Sequence, residues 1–399
     1  MSLPGLDRHA LVRRANEQAV LRAMSLHGPI TRHRLAELTG LSKPTVLGLV
    51  TALEEAGLIR AGAAQRNGSP GRSPVMFEPD PQAGLVVGID LGGSKVRAAL
   101  ADLNGDVLAE ETMVTSRHGP GAAVVGQLAT IAKGLTLRAG VPWRKVRAVA
   151  VGSPGVVQPG GRLALAENVA GLGEVRLGQE LKRALRTPVI VENDVNLAAL
   201  AEHASGVATH CQTFAALAVG TGVGLGLVVN GELFRGRHGA AGEIGFLPLG
   251  ADPALVESRR RGALETAASG PAITAALRHA LDGRPSSLLE VDSTVEDIFA
   301  AAATGDEIAT MIVADEARLL AWAILSVAAI IDPELVVLCG GVGTNPHLLA
   351  PVRAAVERIA PFPIEVTASA LGTRGGVVGA ITLARRHARA ALFDGSAIS

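Results

Sequence analysis

Cysteine is scarce in this chain, and neither sign of charge is in excess. The 399 residues include two cysteines, Cys211 and Cys339, which lie far apart in strand-like apolar stretches. So few cysteines argue against a disulfide framework and suit a reducing cytoplasm. Lysine plus arginine and aspartate plus glutamate each number 37, so the net charge of the whole chain indicates no class of partner.

Long apolar runs and low-complexity tracts are missing as well. No run long enough to span a membrane, about 18 residues, is uniformly apolar, and the best candidate, 322–331, is better interpreted as a buried helix. The N-terminus lacks the apolar core of a signal peptide, so we expect a cytoplasmic protein without a membrane partner. The composition, 48% hydrophobic and 19% charged, is typical of a globular protein, and the length predicts two or three domains.

The basic residues are concentrated near the N-terminus. Residues 8–72 contain ten Lys and Arg against four Asp and Glu, a local net charge of +6. That asymmetry is typical of a nucleic-acid-binding segment, although a solvated basic face would give the same count.

Three short helices are predicted within this basic segment. The first covers 16–27 and ends at a Gly-Pro pair, Thr31 can cap the second, and Ser42 can cap the third. The third helix has apolar residues at helical spacing, which we expect to be buried: Val46, Leu49, Val50 and Leu53. The short turn between the second and third helices is the spacing of a helix-turn-helix, whose last helix reads the major groove of DNA.

A wing follows the three helices. Two short strands are predicted around a tip rich in Gly, Ser and Pro, where Arg66 and Arg72 could enter a minor groove. At the start of the third helix, Ser42, Lys43 and Thr45 are expected to contact DNA phosphates. We therefore predict a winged helix-turn-helix DNA-binding domain at 1–78, followed by a proline-rich linker at 79–84. A small helical protein-interaction domain is the alternative.

The rest of the chain alternates apolar strands with helical stretches, which predicts an α/β body. Two glycine-rich hairpins within it have a similar pattern, DLGGSK at 90–95 and GTGVGLG at 220–226. This repetition suggests two related halves around a cleft.

Seven segments of the body follow one another in a fixed order: IDLGGSKVRAAL, GSPG, ENDVN, AVGTGVGLGLVVNGELFRG, GAAGEIG, IDPELVVLCGGV and LGTRGGVVGA. In this order they together resemble the ROK family (repressor, open reading frame, kinase). With the winged helix-turn-helix in front, the chain is similar to the transcriptional regulators of that family. The resemblance implies an actin-like, ribonuclease-H-like body with a smaller lobe at 85–193 and a larger lobe at 194–399, whose C-terminal helix packs back on the smaller lobe.

The resemblance also implies the residues of a nucleotide phosphate site. The first hairpin supplies Asp90, Gly92, Gly93, Ser94 and Lys95, the second supplies Gly220, Thr221 and Gly222, and an adenosine-side loop supplies Gly340 and Gly341. Glycine turns suit this role because they let backbone N–H groups approach phosphate oxygens.

A sugar site is implied by the motif ENDVN and by two glutamates. Asp194 matches the catalytic base of the family's sugar kinases, and a carboxylate there would take the proton of a sugar hydroxyl. Asn193, Glu243 and Glu265 match residues that bind sugar. Helix capping by Asn193 or Asp194 is the alternative interpretation of the motif.

The zinc site typical of the family's sugar kinases is predicted to be absent. Its His and three Cys ligands are replaced by side chains that cannot hold Zn²⁺, namely Phe246, Val256, Ser258 and Ala263. Because that His also contacts the sugar in the family, its loss should change the sugar preference. The three arginines 259–261 are interpreted as a solvated loop, with binding of an anionic ligand as the less favoured alternative.

These observations favour a sugar-responsive transcriptional regulator of carbohydrate metabolism, a repressor rather than an activator, without enzymatic activity. Its expected partners are an operator in double-stranded DNA, a sugar effector and further copies of the chain in a homodimer or homotetramer. No cofactor is expected to be required. The alternative is an active ATP-dependent sugar kinase that carries a DNA-binding domain, with ATP and Mg²⁺ as its cofactors. A body that holds ATP without turnover is a third hypothesis.

Overall fold

The N-terminal domain is a winged helix-turn-helix. The computed structural model describes residues 8–62, 74–116, 121–158, 161–164, 171–282 and 288–394, so the predicted wing-tip residues Arg66 and Arg72 lie outside the described ranges. The elements of this domain are α1 (Arg8–His27), β1 (Ile30–Thr31), α2 (Arg32–Thr39), α3 (Lys43–Glu55), β2 (Ile59–Ala61) and β3 (Met76–Pro79). The strands form an antiparallel sheet in the order β1-β3-β2.

Local sequence signals account for most of this domain. The hydroxyl of Thr31 accepts a hydrogen bond from the backbone N–H of Arg34, and Ser42 accepts one from that of Thr45, so both predicted caps are confirmed. The four apolar residues predicted for the inner face of α3 are buried. Two expectations were wrong: α1 begins at Arg8 because no Gly or Pro interrupts the helix before Asn16, and β1 adds a third strand to the wing sheet.

The first lobe of the body is built on a five-stranded mixed sheet. Its strand order is β10-β7-β4-β5-β6, in which β4, β7 and β10 are parallel and β5 and β6 are antiparallel. The elements of this lobe are β4 (Leu85–Leu91), β5 (Lys95–Asp102), β6 (Val107–Val114), α4 (Gly121–Arg138), β7 (Val146–Ser153), β8 (Val156–Val157), β9 (Leu163–Ala164), α5 (Leu177–Leu185) and β10 (Val189–Asn193).

The second lobe repeats that topology. Its sheet has the order β13-β12-β11-β14-β15. Each sheet is therefore an antiparallel three-stranded meander, and two strands parallel to the first strand of the meander extend the sheet on the other side of that strand. The predicted relation between the two halves is therefore confirmed. The elements are α6 (Asp194–Ser205), β11 (Phe214–Val219), β12 (Val223–Val229), β13 (Glu232–Leu233), α7 (Val256–Arg261), α8 (Ala263–Ala268), α9 (Gly270–Leu281), α10 (Val295–Ala303), α11 (Glu307–Ile331), β14 (Leu335–Cys339), α12 (Gly340–Gly343), α13 (Leu349–Ile359), β15 (Val366–Ala368) and α14 (Gly375–Arg389).

Helix α14 connects the two lobes to the N-terminal domain. It packs on β4 and β7 of the first lobe and along α6, and two glycines allow this approach. A Cβ atom at Gly88 would lie 2.6 Å from the backbone nitrogen of Ile381, and one at Gly379 would lie 1.8 Å from the carbonyl oxygen of Leu197. The C-terminal turn Ala390–Asp394 then packs against α1, with Phe393 fully buried.

The stretch 322–331 forms the end of α11, which is longer than predicted. The helix begins at Glu307, where the side chain of Asp306 caps it by accepting a hydrogen bond from the backbone N–H of Ala309. Much of this helix is buried in the core of the second lobe. None of the helices in the described ranges is both long and apolar enough to cross a membrane.

Candidate functional site

The parallel strands of the first lobe end at one edge of the sheet, and α6 begins there. Asn193 is the N-cap of α6: its Oδ1 accepts hydrogen bonds from Val195 N (2.9 Å) and Asn196 N (3.0 Å), and its Nδ2 donates to Gly155 O (3.1 Å). The capping interpretation therefore applies to Asn193. Because an amide nitrogen has two hydrogens, one donor of Asn193 remains for a ligand.

One cavity beside this helix start, of about 490 Å³, contains the residues that were assigned to sugar binding. We call it the Glu243 cavity. The structure brings together in its wall Asn193, Asp194, Glu243 and Glu265. Phe246, at the position where the family's kinases have histidine, lines the same cavity and is 40% exposed.

A second cavity, of about 720 Å³, adjoins the first and shares Asp194 with it. We call it the Asp90 cavity. Nearly all the residues predicted for the phosphate site line one or both cavities: Asp90, Gly92, Gly93, Ser94, Gly220, Thr221, Gly222, Gly340 and Gly341. The structure does not bring Lys95 into either wall, since this side chain is exposed at the start of β5.

Arg97 takes the place in the Asp90 cavity that sequence reasoning gave to Lys95. It is paired with Asp90 across the antiparallel strands β4 and β5, and one of its guanidinium nitrogens lies 3.9 Å from Asp90 Oδ2.

The first hairpin is held in place by Thr115, the residue that follows β6. Thr115 Oγ1 donates a hydrogen bond to Gly92 O (2.6 Å), and Thr115 N donates to Ser94 O (3.0 Å). Within the turn, Gly92 N donates to Lys95 O (3.0 Å). Because Thr115 is buried, these bonds give the hairpin a defined shape at the cavity wall.

The predicted adenosine-side loop is instead the start of a helix. Gly340 and Gly341 open the single-turn helix α12, directly after β14. Gly340 has φ +80°, and a Cβ atom there would lie 2.4 Å from the carbonyl oxygen of Val219, so only glycine fits. At Gly341, by contrast, no atom of the described residues outside its chain neighbours and its own helix backbone lies within 4 Å of where a Cβ atom would be.

The carboxyl groups around these cavities have raised pKa values. Burial, and next the charge of Asp90, raise the pKa of Asp194 to about 7, opposed by the hydrogen bond from Val195 N. Burial also raises the pKa of Asp90 to about 6, opposed by the charge of Arg97. The pKa of Glu243 is raised by burial and by the nearby charge of Glu265. A carboxyl group with a pKa near neutrality suits proton transfer at that pH.

Glu265 is already held by the protein. Its Oε1 accepts from Arg261 Nε (3.1 Å) and its Oε2 from Val223 N (3.0 Å), while Arg261 also donates to Thr221 O (3.3 Å). The expectation of a solvated loop at 259–261 was wrong, because these arginines form the last turn of α7, and Arg260 and Arg261 line the Glu243 cavity. The (i, i+4) spacing of Arg261 and Glu265 was the signal that could have indicated this contact.

The four positions of the family's zinc ligands hold no metal-binding set. Val256 is exposed and Ala263 is buried, and the buried hydroxyl of Ser258 has no partner among the described residues. Within the described ranges, no group of three or more His, Cys, Asp and Glu side chains is placed to hold a metal ion.

A buried carboxylate in the Asp90 cavity was missed by the sequence interpretation. Glu202 lies about two turns after Asp194 on α6 and is 1% exposed. The hydroxyl of Ser369 donates to its Oε1, and Val207 N donates to its Oε2 (3.0 Å). Cys339 lies in the same wall, and burial together with the charge of Glu202 raises its pKa. Ser369 is distant from Glu202 in the sequence, so the spacing of the two residues could not indicate their contact.

The predicted DNA contacts that the structure describes are exposed together at the start of α3. Ser42, Lys43 and Thr45 are all exposed there, and the hydroxyls of Ser42 and Thr45 lie 2.7 Å apart. Their placement is compatible with contacts to a DNA backbone from the end of a recognition helix.

Comparison with known proteins agrees with both parts of the chain. A winged helix-turn-helix DNA-binding domain matches residues 13–60, and the ROK family matches residues 86–387. The "Putative xylose repressor" of Caldicellulosiruptor sp. (strain Rt8B.4) is 27% identical over 341 residues, which is 84% of each protein.

Two solved structures show the same fold. A ROK family transcriptional regulator, described as a homolog of the E. coli MLC protein, has a TM-score of 0.76 at 26% identity and covers 96% of this chain and 97% of its own. A ROK family glucokinase from Streptomyces griseus, in complex with glucose and AMPPNP, has a TM-score of 0.66 at 28% identity and covers 76% of this chain and 100% of its own. Because the family match spans most of the chain behind a winged helix-turn-helix domain, the protein belongs to the ROK family.

Proposed function

We propose that this protein is a sugar-responsive DNA-binding transcriptional regulator, a repressor, of carbohydrate metabolism. The observation that carries the proposal is the combination of an exposed recognition-helix start in the N-terminal domain with a polar cavity between the lobes of the body. The xylose repressor among its relatives and the transcriptional regulator among the solved structures support this choice over an enzyme.

The Glu243 cavity is suited to the hydroxyl groups of a sugar. Asp194 and Glu243 supply acceptors, and Asn193 supplies one amide hydrogen. Glu265 holds Arg261, which donates to Thr221 O in the second hairpin. The remaining lone pairs of the Glu265 carboxylate can accept hydrogen bonds from sugar hydroxyls. Phe246 adds an apolar wall, against which the carbon face of a sugar ring can pack.

The route from the cavity to the DNA-binding domain runs along α14. At its start, a Cβ atom on Gly376 would lie 2.6 Å from Asp90 Cγ, so the first turn of the helix is in contact with the cavity wall. At its end, the turn Ala390–Asp394 packs against α1. A sugar that prefers one closure of the lobes would shift α14 and the N-terminal domain with it. In a dimer, two such domains would bind half-sites about 34–36 Å apart.

The test is operator binding with and without sugars. We expect one sugar of a panel to change the affinity for the DNA upstream of the protein's own gene at least about fivefold. Asp194→Ala should abolish the response, whereas Asp315→Ala, an exposed carboxylate on α11 outside both cavities, should preserve it. If no sugar changes the affinity of the wild type, the effector part of the proposal fails.

A sugar kinase is the second candidate, favoured by the preserved hairpins and by the raised pKa of Asp194. The Asp90 cavity fits a nucleotide, because its glycine turns leave open space, as at Gly341, and Arg97 contributes a positive charge. Bound ATP with Mg²⁺ would supply the phosphoryl group that is transferred. Asp194 would hold the sugar hydroxyl and accept its proton, while Asp90 and the hairpin amides would face the phosphates.

Turnover separates the two candidates. Phosphorylation of a sugar by the wild type but not by Asp194→Ala would assign catalysis to this chain. Absence of turnover in both, together with weaker sugar binding by Asp194→Ala, would identify the cavity as a sensor.

A further inference from the structure

A basic pocket lies at the opposite end of the first lobe from the cavities described above. The pocket has a volume of about 860 Å³, and it is formed where β7 and β10 begin, whereas the Glu243 and Asp90 cavities lie where these strands end. Five cationic side chains line it, from three separate segments of the chain: Lys133, Arg144, Arg147, Arg183 and Arg186.

The charges of this pocket are largely uncompensated. Arg183 forms an ion pair with Glu180 at 2.7 Å. In the described ranges, no carboxylate lies within ion-pair distance of Lys133, Arg144, Arg147 or Arg186. Five cations around one concavity repel one another, and an anion bound between them would remove that repulsion.

The wall of the pocket is preformed. The indole Nε1–H of Trp143 donates to Leu185 O (2.9 Å) and lies 3.1 Å from Thr187 Oγ1, which joins the segment before β7 to the segment before β10. Lys133 Nζ donates to Ala184 O (3.3 Å) and ties α4 to the same wall. Lys133 is therefore held on the wall, and a cation held in this way loses less entropy when it binds a ligand than a cation on a mobile loop.

The pocket is also next to the connection with the DNA-binding domain. The side chain of Arg147 lies against the backbone of Gly84, where a Cβ atom would be 2.5 Å from its Cγ, and its guanidinium donates to Ala83 O (3.5 Å). Leu392, from the C-terminal turn that packs on α1, lies against the same glycine. One cationic residue of the pocket therefore touches the linker itself.

We propose that this pocket binds a soluble small molecule with several negative charges, of the phosphate-bearing class and up to the size of a nucleotide. Planar guanidinium groups from Arg144, Arg147 and Arg186 match the geometry of phosphate oxygens. The concave shape favours a small ligand over the convex backbone of a DNA duplex, which is the competing source of phosphate groups.

The test uses inorganic tripolyphosphate as the probe, with binding measured by calorimetry on the full chain. We expect a Kd below about 1 mM for the wild type, at least about tenfold weaker binding for Arg144→Ala/Arg186→Ala, and weaker binding at higher salt. The matched control, Arg278→Ala/Arg358→Ala, removes the same charge from exposed positions outside the pocket and should bind like the wild type. The milder Arg144→Gln/Arg186→Gln pair should repeat the loss, with circular dichroism to verify folding.

Two results would overturn the proposal. The first is equal affinity for the probe in the wild type and both pocket variants. The second is a wild type that does not bind the probe, together with pocket variants that lose operator affinity when the control variant does not. If the operator affinity of the pocket variants also depended less steeply on salt, the pocket would be assigned to the DNA backbone.

Discussion

Asp194→Asn should make the protein more stable at high pH and leave its stability at low pH unchanged. Folding raises the pKa of Asp194 from an ordinary 3.8 to about 7, mainly by burial. Between these two values the unfolded chain releases the proton and the folded chain keeps it, so the stability of the wild type falls as the pH rises through this window. Asparagine does not ionise, and its amide oxygen can still accept the hydrogen bond from Val195 N.

The size of the effect follows from the two pKa values. Each pKa unit corresponds to about 1.4 kcal/mol, so complete ionisation of Asp194 costs about 4 kcal/mol. This figure already includes the repulsion by Asp90, which is one of the causes of the raised pKa of Asp194. The free energy of unfolding of the variant should therefore exceed that of the wild type by about 4 kcal/mol above pH 8 and by about zero below pH 4.

Urea unfolding of both proteins at pH 4, 6 and 8 measures this difference. Asp315→Asn is the control, because Asp315 is exposed on α11 and pairs with Arg318, and its replacement should change stability by less than about 1 kcal/mol at each pH. A gain for Asp194→Asn that is the same at all three pH values would refute the argument from burial.

Variants at three further positions probe other parts of the structure. Thr115→Val removes the hydroxyl that donates to Gly92 O, so we expect a loss of about 1 kcal/mol in urea unfolding and weaker binding of a nucleotide analogue, with sugar binding preserved. Ser42→Ala removes the N-cap of α3, so we expect the free energy of unfolding to fall by about 1 kcal/mol and the operator affinity in a mobility shift to decrease. Ser42→Thr should retain the stability and the affinity of the wild type. An unchanged mobility shift for the alanine variant would argue against a DNA contact at this position. Glu316→Leu removes a buried carboxyl group whose pKa is raised to about 8 by burial. The stability of this variant in urea unfolding, relative to the wild type, should therefore increase from pH 5 to pH 9. A difference in stability that does not depend on pH would contradict this expectation.

Most of the local structure could be predicted because it depends on residues that are close together in the sequence. The caps at Thr31 and Ser42 need only a hydroxyl three residues before a backbone N–H, and the inner face of α3 needs only apolar residues at the helical period. The absence of zinc ligands at Phe246 and its partner positions is likewise a matter of residue identity. The order of the motifs was sufficient to identify the ROK family.

The tertiary structure decided which side chains meet. Arg97 faces Asp90 because β4 and β5 pair in one particular register, and Ser369 reaches Glu202 across a large separation in sequence. Arg261 lines the Glu243 cavity, although a solvated loop was expected there, because the last turn of α7 lies against the second hairpin.

The basic pocket shows the same division most clearly. No motif in the sequence marks its cationic residues Lys133, Arg144 and Arg186. They share one concave wall because the amino ends of the parallel strands β7 and β10 are adjacent. By itself, the sequence determined the caps and the inner face of the recognition helix, the two hairpins, the family and the residue types at the cleft, since each depends on local spacing, on motif order or on residue identity. The tertiary structure alone decided the basic pocket and the contacts of Arg97, Glu202 and Arg261, because strand register and helix packing bring together residues whose spacing in the chain does not indicate their contact.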